Sequence, residues 1–163
     1  MTKFMKAALA SSVLVASVMG ANAANAATAT ADAKANILQQ VTVASDGSDL
    51  DFGTIVSGAS AATVAINAAG AANCSAGIVC SGTTSAAGFD VTGTNGETVD
   101  ISTDTTVLLT GPTDTMTASL TPSVTSMVLG GGDAFTVGGT LNVGAGQDDG
   151  AYVGNFTVTV SYQ

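Results

Sequence analysis

Ala151-Tyr152-Val153-Gly154-Asn155-Phe156-Thr157-Val158-Thr159-Val160-Ser161-Tyr162-Gln163 alternates without a fault from Asn155 onward. Phe156, Val158, Val160 and Tyr162 fall on one side; Asn155, Thr157, Thr159 and Ser161 fall on the other. Successive side chains of a strand point to opposite faces, so this period predicts a β-strand with one buried side. β-Branched and aromatic residues suit such a surface. A single strand satisfies neither its backbone nor its apolar face, so the stretch demands a ladder partner and a cover.

The same punctuation runs back through the chain. Phe135, Val137, Gly139, Leu141 and Val143 share one face, and Gly144 to Gly150 is a polar turn into the last stretch. Val124 to Leu129 leads into Gly130-Gly131-Gly132. Met116, Ala118 and Leu120 alternate with Thr117, Ser119 and Thr121 until Pro122, and Val107 to Thr110 ends at Gly111-Pro112. Phe89 and Val91 precede Gly93-Thr94-Asn95-Gly96, whose Asn-Gly pair is a hairpin signal that predicts Val99 and Ile101 as their partners. Ala62, Val64 and Ile66 form another run. Leu50 and Phe52 share a face, and Gly53 allows a bulge before Ile55. Ile37 to Ala44 puts Ile37, Val41 and Val43 together. About nine or ten short strands, with turns roughly every 8–12 residues, predict an all-β antiparallel sandwich over residues 37–163.

The chain opens differently. Lys3 and Lys6 precede an apolar run from Ala7 to Met19, and both Ala21-Asn22-Ala23 and Ala24-Asn25-Ala26 are small-x-small sites. Residues 1–26 therefore read as a secretory signal cleaved after Ala23 or Ala26. The run is shorter than the roughly 20 apolar residues a membrane span needs, so no transmembrane anchor is expected. Export bears on Cys74 and Cys80, the only cysteines. In an oxidising compartment they are expected to pair, for a gain of about 2 kcal/mol by chain entropy. Two free thiols or half a metal site are the alternatives, and the second lacks a His or a third Cys.

Between signal and first strand, residues 27–36 alternate as well. Ala29, Ala31, Ala33 and Ala35 interleave with Thr28, Thr30, Asp32, Lys34 and Asn36. A frayed helix suits the Ala content, a loose terminus is common, and an extended strand fits the period. The last reading makes residues 27–36 a candidate donor strand.

Charge narrows function. Charged residues make up 9%, and Arg, His and Trp are absent. Without Lys3 and Lys6, Lys34 stands alone against 12 acids. Such a chain lacks the clustered bases that neutralise nucleic-acid phosphates or hold an anionic membrane. The absence of His removes the usual acid–base and triad arrangements, so no catalytic residues, enzyme activity or cofactor is expected. The carboxylates fall in turns and on polar strand faces, where solvation explains them. A weak calcium alternative rests on Asp46, Asp49 and Asp51 before a strand and on Asp148 and Asp149 in a Gly-flanked turn. Tyr152 reads as packing where a strand begins.

Four blocks together carry a resemblance: Leu50-Asp51-Phe52-Gly53-x-Ile55, Gly88 to Gly93, Phe135-x-Val137-Gly138-Gly139-Thr140-Leu141, and Gly150 to Tyr162. In these the chain resembles an exported bacterial family, domain of unknown function 4402, over essentially all of its mature length. The final block also resembles chaperone–usher pilins and the spore coat protein U group. That resemblance implies an immunoglobulin-like, pilin-like fold and a Gram-negative envelope protein in the periplasm, on the cell surface or outside the cell. It implies self-assembly or related envelope subunits as partners, with a periplasmic chaperone and an outer-membrane usher. Pilin donor strands carry bulky apolar residues, whereas this segment offers mainly Ala. The expected function is a structural surface subunit; the alternative is a free-standing secreted or surface-bound β-sandwich module for binding or adhesion.

Overall fold

The computed structural model describes residues 27–163, and the expected signal peptide lies outside them. Residues 27–35 belong to one unit and Asn36–Gln163 to a second, compact one. No residue from 27 to 40 is in a strand, and 27–37 are exposed throughout.

The compact unit is all-β and antiparallel, with twelve strands and no helix among the described residues. They are β1 Thr42–Ser45, β2 Thr54–Val56, β3 Ala62–Ile66, β4 Ala72–Cys74, β5 Val79–Ser81, β6 Ala87–Thr92, β7 Thr98–Thr103, β8 Thr106–Thr110, β9 Thr115–Pro122, β10 Ser126–Val128, β11 Asp133–Val143 and β12 Val158–Tyr162. Seven form one sheet in the order β1-β6-β11-β3-β4, with β9 also on β11 and β8 on β9. A second sheet has the order β10-β7-β12, and β2 and β5 make a two-stranded ribbon. The arrangement is sandwich-like.

β11 holds the large sheet together. Asp133–Val137 pairs with β6, while Gly139–Asn142 pairs with β3 and with β9 at once, one on each edge. Phe135, Val137, Leu141 and Val143 are buried as the alternation requires, and Gly138 and Gly139 are buried with them. A Cβ at Gly139 would lie 2.6 Å from the Ser119 carbonyl, so glycine is what lets the flanking strands close in. Across the sandwich, Val99 and Ile101 of β7 are buried in the same core as Val64, Ile66, Val91 and Leu120. Phe89 stacks on Phe135 with ring centroids 5.4 Å apart.

Three local expectations need correction. The Asn-Gly turn is present: Glu97 N–H donates to the Thr94 carbonyl at 3.3 Å, and Gly96 has φ of 86°. It does not close a hairpin, however. β6 pairs with β1 and β11 in one sheet, whereas β7 pairs with β10 and β12 in the other. Gly96 N–H goes instead to Leu129, and Thr94 N–H to Tyr162, so the turn carries the chain between layers. The first strand begins at Thr42, leaving Ile37 90% exposed and outside any ladder. Finally, β4 and β5 raise the strand number beyond nine or ten; they lie in the Ala/Gly/Ser-rich segment around the cysteines, where apolar alternation is weak.

Candidate functional site

The C-terminal strand starts its ladder at Val158 rather than Asn155, pairing with β7 from Val158↔Thr103 to Tyr162↔Val99. Phe156 keeps the same side without ladder pairing. It is partly buried and meets Phe89 edge-on at 6.2 Å, while Asp104 accepts from Thr157 N–H at 2.7 Å. Val158, Val160 and Tyr162 are likewise half-buried against the core.

Tyr162 latches this strand. Its hydroxyl donates to the Gln39 carbonyl and accepts from Thr94 N–H, each at 2.7 Å. One side chain therefore ties the final strand to the chain before β1 and to the inter-sheet turn. Gly93 makes room for it, since a Cβ there would sit 2.6 Å from the Tyr162 hydroxyl and 2.7 Å from Leu129. Sequence reasoning singled out Tyr162 by its place in the alternation; it gave no sign of Gln39 and Thr94, which lie 123 and 68 residues away.

β12 is the edge of its sheet, and β1 is the edge of the larger one. The two run near each other, and among the described residues neither has a ladder partner on its outer side. Along this seam Val41, Val43, Phe89, Phe156, Val158 and Val160 are only half covered. Edge strands present unpaired backbone donors and acceptors, and here incompletely buried side chains accompany them. Ala29, Ala31, Ala33 and Ala35 are exposed and in no ladder.

Cys74 and Cys80 are disulfide-bonded, with Cα atoms 6.5 Å apart. β4 pairs with β3 and β5 with β2, so the bridge joins the edge of the large sheet to the small ribbon. Both cysteines are half-buried on the rim of the core.

The acidic groups separate. Asp46 accepts from Ser48 N–H at 2.7 Å, and its carboxylate lies where a side chain on Gly88 would be. Asp49 contributes its backbone carbonyl to the Ser85 hydroxyl at 2.6 Å. Asp51 accepts from Gly53 N–H at 2.7 Å, and Gly53 has φ of 72°. Among the described residues, no three groups of metal-ligating type come together as an ion site.

Asp51 does meet Asp148 and Asp149 around a cavity of about 630 Å³ at one end of the sandwich. Leu109 and Met116, a cross-strand pair of β8 and β9, wall it together with Leu141 and Val143 of β11. Leu50 to Ser57 and the loop Gln147 to Tyr152 form the remaining sides. The loop is well fastened. Tyr152 hydroxyl donates to the Asp148 carbonyl at 2.9 Å and accepts from Gln147 Nε2 at 3.0 Å. Gln147 Nε2 also reaches Asp114 at 2.8 Å, and the Ser57 hydroxyl donates to the Gln147 carbonyl at 3.1 Å. Tyr152 thus packs where the last stretch begins, its ring against Gly111, and also borders the cavity. No local pattern signals the cavity itself, because its walls come from four separate parts of the chain.

No described helix is long and apolar enough to cross a membrane, a statement that does not extend to β-barrels. Compared with known families, residues 41–162 match a family model described as domain of unknown function (DUF4402). No curated protein and no solved structure matches the chain.

Proposed function

The chain belongs to the DUF4402 family, and on that premise we propose that it is a structural, non-enzymatic subunit of an exported surface assembly, joined to its neighbours by residues 27–36. The supporting observation is the pairing of two incomplete parts: an exposed alternating arm and a seam of half-covered apolar residues between two open sheet edges. An open edge accepts an added strand through backbone hydrogen bonds. The arm's nine residues from Thr28 to Asn36 reach about 30 Å when extended, enough to run along a neighbouring sandwich. The Ala methyls contribute little by themselves, at roughly 0.8 kcal/mol per buried CH₂-sized group. The larger apolar gain comes from the acceptor, where Val43, Phe156, Val158 and Val160 complete their burial. Arm and seam are different surfaces, so the contact is head-to-tail and propagates into a fibre.

In this reading the protein passes through the periplasm of a Gram-negative cell. It is pilin-like in fold as in assembly, and a chaperone covers the seam until an usher-type exporter exchanges it for an arm. The test is to express the full mature chain and a form lacking residues 27–36 with their envelope partners. The full chain is expected to give heat-released ladders on SDS gels, and the shortened form a folded monomer. If both are equally monomeric and equally stable, the free-standing binding module becomes the better account.

A further inference from the structure

We propose that the cavity at the end of the sandwich is a binding site for a small organic ammonium ion with an aliphatic or aromatic body. The inference rests on the cavity alone and is independent of whether the arm is exchanged between subunits. Its volume, about 630 Å³, lies within the range of small-molecule sites, roughly 300–1,000 Å³. The apolar wall is Leu109 and Met116, half-buried on the core side of the large sheet, backed by Leu141 and Val143, which are buried. An apolar body placed there removes both surfaces from water.

The rim sets the sign of the ligand. Asp51, Asp148 and Asp149 border the opening, and no Lys, Arg or His lines it. Nor is there a base anywhere from residue 35 to residue 163. An anionic head group would meet uncompensated carboxylates, whereas an ammonium would meet charge of the opposite sign. Asp51 and Asp148 each commit one oxygen to a protein donor, Gly53 N–H and the Thr113 hydroxyl respectively. Those bonds fix the carboxylates and leave their second oxygens for the ligand. Because all three are exposed, the rim selects and steers while the apolar walls hold. Among the described residues the three carboxylates do not converge as a metal-ligand cluster, so the rim supplies charge rather than a coordination shell. The Tyr152–Gln147–Asp114 bonds keep the loop in place, so the site is formed before the ligand arrives.

The experiment uses the full mature chain labelled at methionine and leucine methyl groups. Octylammonium, octanol and octanoate are each titrated below their micelle concentrations. Octylammonium is expected to shift the Met116 and Leu109 methyls in a saturable way and to bind at least about tenfold more tightly than octanoate, as two or three exposed charge pairs allow. The exposed double change Asp148→Asn, Asp149→Asn should lower octylammonium affinity at least about threefold and leave octanol unaffected. Asp90→Asn, away from the lining, should change neither. The proposal fails if octanoate binds as well as octylammonium, if the shifted methyls lie elsewhere, if Asp90→Asn matches the double change, or if nothing binds.

Discussion

Two stretches of this chain alternate with the same period and meet opposite fates. Residues 155–162 place Phe156, Val158, Val160 and Tyr162 half-buried against the core, with a ladder to β7. Residues 27–36 place Ala29, Ala31, Ala33 and Ala35 on one side with equal regularity, yet stay exposed and unpaired. The period fixes which side chains share a face; their size decides whether that face is worth burying. Ordering a residue costs about 1–2 kcal/mol of backbone entropy. A Val or Phe side chain offsets it by about 1.5–3 kcal/mol when fully buried, and an Ala methyl does not. In the proposed assembly the small stretch gains that apolar surface from outside, at the seam beside β12 of a neighbouring subunit.

The contrast can be broken from the large side first. Val160→Asp would set a carboxylate opposite Ile101, itself 4% exposed. Unfolding in urea should show a loss of about 3 kcal/mol or more. A change touching neither stretch gives the scale: replacing Cys74 and Cys80 by Ser should cost about 2 kcal/mol by loop-closure entropy, read from the same curves. Next comes the latch. Tyr162→Phe removes the hydroxyl that serves both Gln39 and Thr94, and should cost about 1–2 kcal/mol. Gly93→Ala should cost a similar amount by pushing the ring away, and the two changes together should fall short of their sum because they act on one contact. Smallest is the arm: Ala31→Asp with Ala33→Asp should leave the monomer's stability within about 0.5 kcal/mol of the parent, while abolishing the ladders expected of the assembly.

Much of the fold was legible because faces follow from a period of two. The buried sides of β9, β11 and β12 are those the alternation assigned. What escaped was pairing across distance. Gly93 to Gly96 carries a hairpin signal and makes a tight turn, yet Thr94 and Gly96 donate to Tyr162 and Leu129, and the strands on either side leave for different sheets. A turn motif fixes local backbone geometry but not which sheet receives the next strand. Alternation alone starts the first strand too early because Ile37 fits it, yet Ile37 is 90% exposed and lies outside any ladder. At the candidate sites, the cysteines and the C-terminal face were readable residue by residue. The cavity was not, since Leu109, Met116 and Asp148 are brought together only by the completed sandwich.

The most direct test of the arm-and-seam account is amide hydrogen exchange at residues 27–36 in the full mature chain, measured once as monomer and once as assembled material. In the monomer these amides should exchange at the rate of an unfolded peptide. In the assembly, those that enter a ladder should slow by orders of magnitude, together with the outer amides of the strand edge they join. Equally fast exchange of residues 27–36 in both forms would contradict the account.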